Sequence, residues 1–197
     1  MITYKMENAW RYYDQGQHDS AIDQLKEILA EEPNYALAHG LLAANLLAKS
    51  RIHAAEYEIG IALSLEPEIS FLYIVLAKIS IAKSKLKPAL LHCDKALELD
   101  VENYMALLIK NEIYCLLDKR NEGYNCIVEA SKIEPESIEV AIAFGEYYLD
   151  SGDYSAAHEL ACAALHADAQ DEDANILMGR IQLALGNVED AEYHAKF

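Results

Sequence analysis

Few side chains in this 197-residue sequence could do chemistry. His158-Glu159-x-x-Cys162 puts a His and a Cys one helical turn apart, as a helix presents two zinc ligands. The second ligand is Cys where a zinc-protease helix has His, and no third ligand is placed by the sequence. His92-Cys93-Asp94 holds the residue types of a Cys-His nucleophile, but sequence neighbours leave a helix in different directions and do not readily form a dyad. Asp168, Asp171, Glu172 and Asp173 carry oxygens of the kind calcium takes, without the alternating spacing and glycine of a calcium loop. Carboxylates ahead of and within a first helical turn are explained by the exposed N–H groups and the helix dipole. No phosphate-binding glycine loop, nucleophile elbow or dinucleotide fingerprint occurs. The expectation is a chain with no catalytic residue, metal or cofactor, and not an enzyme.

Composition limits the partners. The chain is 53% hydrophobic and 25% charged, a globular composition, and 33 acidic against 16 basic residues give a formal charge of −17. Such a field repels phosphate backbones and anionic lipid, which disfavours nucleic acid. The first residues have no apolar signal core. The longest apolar run, Phe71 to Ala77, ends at Lys78, far short of the roughly 20 residues of a membrane span. Cys93, Cys115, Cys126 and Cys162 are irregularly spaced, look like small core residues, and fit a reducing, cytoplasmic compartment.

Positioning elements emerge from a period. Pro33, Pro67 and Pro135 each follow a Glu and fall on one 34-residue rhythm, with Val101 at the missing step. Gly16, Ser50, Ser84, Asp118, Gly152 and Gly186 keep the same interval, each of a type that ends a helix and opens a turn. Small residues recur likewise: Ala9, Ala43, Ala77, Gly145 and Gly179, then Ala21, Ala55, Ala89, Ala157 and Ala191. Closely crossing helices require small side chains at the contact. Larger apolar residues between them, such as Leu42, Leu46 and Leu47, follow helical spacing. The unit is helix, turn, helix, turn.

With these residues the chain resembles the tetratricopeptide repeat family. The clearest copy runs Phe144-Gly145-Glu146-Tyr147-Tyr148-Leu149-Asp150-Ser151-Gly152-Asp153-Tyr154-Ser155-Ala156-Ala157; in the first, Tyr12 to Ile22 reproduces the turn and Pro33-Asn34 closes the repeat. The resemblance implies an all-α, right-handed α-α superhelix of about six repeats and twelve helices. Five would be complete, at 2–35, 36–69, 70–103, 104–137 and 138–171, and 172–197 an incomplete sixth. A chain stopping inside a helix is expected to continue past Phe197. Lys110-Asn111 and Gly123 depart from the pattern, so the fourth pair should pack least well, whereas Lys5 and Asn8 suit an N-terminal cap.

In that family the first helices of successive repeats line a concave groove, and set places on them touch the partner. Those places carry neither the Lys, Asn and Arg of a carboxylate clamp nor an Asn ladder. They read apolar instead: Trp10, Tyr13, Leu41, Phe71, Ile74, Val75, Met105, Leu108, Ile109 and Ile142, with Lys78, Glu112, Glu146 and Arg180 as interspersed charges. Small and large apolar places already supply a core, so this second apolar face is expected to be surplus and open to a partner. The expected function is a protein-protein interaction scaffold binding an amphipathic helix or apolar peptide in its groove, with self-association through that groove also possible. The alternative is an interaction domain of a longer enzyme or membrane-associated protein.

Overall fold

A computed structural model describes residues 2–196, which form twelve α-helices and no strand. In order they are α1 (Ile2–Asp14), α2 (His18–Glu31), α3 (Ala36–Ala48), α4 (Ile52–Leu65), α5 (Ser70–Ala82), α6 (Leu86–Leu99), α7 (Tyr104–Leu116), α8 (Arg120–Ile133), α9 (Ile138–Ser151), α10 (Tyr154–Ala167), α11 (Glu172–Leu185) and α12 (Val188–His194). Pro88 sits in the first turn of α6, where a missing N–H costs little.

Each odd-numbered helix stops in the same way. Its last turn runs into a left-handed residue, at Gly16, Ser50, Ser84, Asp118, Gly152 and Gly186, with φ between 56° and 84°. The next residue then donates its N–H back to a carbonyl five positions earlier, as in Gln17 to Tyr12 (2.8 Å), Arg51 to Leu46 (2.8 Å) and Asp153 to Tyr148 (2.9 Å). This closure satisfies carbonyls left unpaired at the helix end and reverses the chain in three residues. The starts of odd helices are less uniform. Side chains of Asn103, Ser137 and Asp171 accept the N–H of Ala106, Val140 and Ala174, whereas Tyr35 and Ile69 occupy the same places without capping.

Two compact units result, one ending at Ile109 and one beginning at Lys110, so the boundary cuts α7. In the first, α1 packs on α2, α3 on α4 and α5 on α6, with α2 against α3, α4 against α5, and α3 touching both α1 and α5. Ala9, Ala21, Ala43, Ala55, Ala77 and Ala89 are all fully buried, the small residues that close helix crossings need. In the second, α9 packs on α10, α11 on α12, α10 on α11, and α9 touches both α8 and α11. Ala157 and Ala161 pack with Leu177, Met178 and Ile181 into its core.

The departure in the fourth repeat is compensated. A Cβ on Gly123 would lie 2.8 Å from Asn111 Oδ1, so the missing methyl group makes room for the larger polar residue. The two departures are one substitution of volume.

Burial corrects part of the expected groove. Leu41, Ile74, Val75 and Ile109 are 0%, 6%, 2% and 4% exposed, and are core residues. The reason is geometrical and is clear at α5, which carries Ile74 and Val75: it meets its own partner α6 and also α3 and α4. Its apolar circumference is therefore used rather than surplus. Ten of the thirteen residues of α3 are buried. Where no such neighbour follows among the described residues, α11 leaves Ile176 and Leu183 49% and 59% exposed. Cys115 and Cys162 are likewise exposed, unlike the buried Cys93 and Cys126.

Two measurements follow. Ser50→Gly, Ser84→Gly and Asp118→Gly should each raise the free energy of urea unfolding by up to about 1 kcal/mol, because a left-handed conformation strains every residue with a Cβ. Ile74→Asp or Ile109→Asp should lower the same quantity by about 3 kcal/mol or more by putting an unpaired charge in the core. Unchanged denaturation curves would contradict this placement.

Candidate functional site

Among the apolar residues expected to contact a partner, Trp10, Tyr13 and Phe71 are the ones brought together. Trp10 and Tyr13 lie one turn apart on α1, their ring centroids 6.0 Å apart and nearly perpendicular. Phe71, in the first turn of α5, meets Trp10 edge-on at 4.9 Å. Both helices touch α3, where Gly40 leaves room for Leu72 and lies close to Phe71. A Cβ at Gly40 would come 2.3 Å from Leu72 Cδ2 and 3.6 Å from Phe71 Cε1. All three aromatic residues are half-buried, packed on the core and open on the remaining side.

The rings adjoin a polar margin. His18 stacks obliquely near Tyr13 at 6.1 Å and donates from Nδ1 to Asn45 Oδ1 at 3.0 Å. Burial raises the Tyr13 phenol above its ordinary range, with the adjacent Asp14 charge adding to the effect. Burial also raises the Asp14 carboxyl. Lys78, Met105 and Leu108, in the same unit, are half-buried.

The second unit holds the other candidates. Ile142 and Glu146 are half-buried, while Glu112 and Arg180 are exposed. The charges at Glu146 and Arg180 neutralise each other: Arg180 pairs with Glu146 and lies 3.6 Å from Asp150, which also pairs with Arg120 at 3.7 Å. An aromatic group stands nearby, with Tyr124 4.5 Å from Tyr147 and 5.9 Å from Phe144.

Candidates for chemistry do not converge. Cys162 Sγ is 3.6 Å from His158 Nδ1, a contact within one helix, and no group of three or more potential ligands could hold a metal among the described residues. Asp171 Oδ1 accepts the Ala174 N–H at 2.7 Å and Asp168 Oδ1 that of Gln170 at 2.9 Å, the carboxylate roles expected around a helix start. Cys93 is buried, and burial lowers the pKa of the neighbouring His92. Among the described residues no helix is long and apolar enough to cross a membrane.

Sequence reasoning missed the role of Gly40. The signal was present, because Gly40 interrupts a series in which Met6 and Ile74 fill the places 34 residues away. It also missed the buried polar links. His39 bridges the Pro33 carbonyl (2.9 Å) and the Glu58 carboxylate (2.6 Å), and Asn45 donates to the Leu41 carbonyl at 2.8 Å.

Comparison with known proteins agrees with the architecture. Two family models, each described as tetratricopeptide repeat, match residues 6–63 and 148–192, together just over half of the chain. No curated protein matches significantly in sequence. Among solved structures, a thermophilic TPR protein of Thermus thermophilus is 22% identical, with a TM-score of 0.81 over 94% of this chain and 99% of its own. PilW, a widely conserved type IV pilus biogenesis factor, is 17% identical, with a TM-score of 0.72 over 99% and 90%. YrrB, described as a TPR protein with an unusual peptide-binding site, is 19% identical, with a TM-score of 0.53 over 87% and 89%. At these identities the likeness is one of fold. By helix pairing, turn period and family match together, the chain belongs to the tetratricopeptide repeat family, whose fold is that of a protein-protein interaction scaffold.

Proposed function

We propose that the protein binds the apolar face of an amphipathic helix or apolar peptide on the Trp10, Tyr13 and Phe71 surface. The supporting observation is the edge-on meeting of Trp10 and Phe71: large, stiff, half-exposed rings packed on the core. Such rings give contact area at low entropic cost and form the energetic centre of many interfaces. Lys78, Met105 and Leu108 extend the surface within the same unit. Leu41, Ile74, Val75 and Ile109 act beneath it as support. Ile142, Glu112, Glu146 and Arg180 form a separate candidate contact in the second unit, and repeats at the expected boundaries provide the frame. The peptide-binding site named for YrrB is consistent with this reading.

Trp10 is the one tryptophan of the chain and therefore a built-in probe. Titration with a synthetic amphipathic peptide of Leu and Gln should shift its emission and saturate. Phe71→Ala should weaken binding about tenfold without loss of helical circular dichroism. Apolar burial carries the affinity, so raising the salt from about 0.1 to 0.5 M should change it little, although the Debye length shrinks. No emission change with peptide, or equal binding by Phe71→Ala, would refute the site.

A further inference from the structure

We propose that the outer face of α4 and α6 is a second docking surface, for an acidic protein segment with interspersed apolar side chains. This inference is independent of the aromatic site. It starts from where the cations lie in a chain with 33 acidic and 16 basic residues. Between Glu32 and Asp94 the acidic residues are Glu56, Glu58, Glu66 and Glu68, whereas Lys49, Arg51, Lys78, Lys83, Lys85 and Lys87 fall in the same stretch. Five of these six cations are gathered at the turns ahead of α4 and α6.

Partners separate them into two groups. Lys49 pairs with Asp19 at 2.7 Å and Lys83 with Glu56, ties between successive helix pairs. The side chains of Arg51, Lys85 and Lys87 make no ion pair among the described residues and are exposed. The nearby acids are occupied, Glu56 by Lys83, which lowers its pKa most, and Glu58 by His39. Lys85 also lies near enough to lower the Glu56 pKa, which places the cation ahead of α6 beside α4.

Two large apolar side chains stand further along the same helices, Leu91 one helical turn beyond Lys87 and Tyr57 six residues beyond Arg51. Tyr57 follows His53 by four residues on α4, and Leu91 follows Lys87 by four on α6, so each pair shares a helix face. Tyr57 and Leu91 are 69% and 67% exposed. Asp94 stands three residues beyond Leu91, where the acidic character resumes. Unpaired cations beside exposed apolar groups complement carboxylates beside apolar groups. A long polyanion meets the repulsion of the whole molecule, whereas a short acidic segment is screened from it beyond about one Debye length, roughly 8 Å at physiological salt.

The test uses the whole chain and a fluorescent synthetic peptide of Glu and Leu, read by anisotropy at low salt. Binding is expected for the wild type, at least about tenfold weaker for Arg51→Glu/Lys85→Glu/Lys87→Glu, and weaker for Tyr57→Ser/Leu91→Ser. Phe71→Ala should retain it, which separates this surface from the aromatic site. Circular dichroism checks that each variant is folded, and the conservative Arg51→Gln/Lys85→Gln/Lys87→Gln supplies a second reading if the reversal unfolds. No wild-type binding, or equal binding by folded variants, would overturn the proposal. So would equally tight binding of a single-stranded RNA of matched charge, which would make nucleic acid the occupant. Salt-sensitive dimerisation lost in the charge variants would likewise overturn it, by making a second copy the occupant.

Discussion

Burial of the odd helices between their neighbours is the constraint on which the rest depends. A single helix pair exposes one side of its odd helix, and only the next pair covers it. Stability in such a stack is therefore a sum of pair and interface terms, and each interface sets how much apolar surface remains for a partner. The left-handed turn that ends every odd helix supports this by returning the chain at a constant length. Strain at Ser50, Ser84 and Asp118 is compatible with that geometry because the hydrogen bonds of the turn are formed in every copy.

The same constraint decides what a binding site can be. Leu41, Ile74, Val75 and Ile109 become floor, and accessible apolar surface survives where a large residue overhangs a small one. Phe71 beside Gly40, with Trp10 edge-on to it, is such a case. In the second unit, the Glu146–Arg180 pair ties α9 to α11 through charge, in addition to the apolar packing of Ile142, Tyr148 and Leu149 on the core that holds Leu177.

Fold class, helix pairing and turn positions were legible in the sequence because each rests on a local rule repeated at a fixed interval. Gly16, Gly152 and the buried alanines announce themselves by type. The surface was less legible. Telling Ile74 from Phe71 requires knowing which neighbour covers each, a nonlocal quantity that helical periodicity does not contain. Asn111 and Gly123 looked like two weaknesses when read singly and became one compensated contact when their distance was known. The cations at 51, 85 and 87 were visible as residues, but their importance depends on Lys49 and Lys83 having partners when they do not.

Asn45 has a consequence for how the chain finds its register. Modules of one length invite a slip by one whole module, since Ala9, Ala43 and Ala77, and likewise Ala21, Ala55 and Ala89, recur every 34 residues. Asn45 is fully buried and satisfied by His18 and the Leu41 carbonyl. Thirty-four residues on from Asn45 and His18 stand Ile79 and Ile52. A slipped stack would set the amide against a hydrocarbon side chain and strand a buried oxygen, at about 1–3 kcal/mol. This polar side chain thus acts as a key, telling the second module which module is its first.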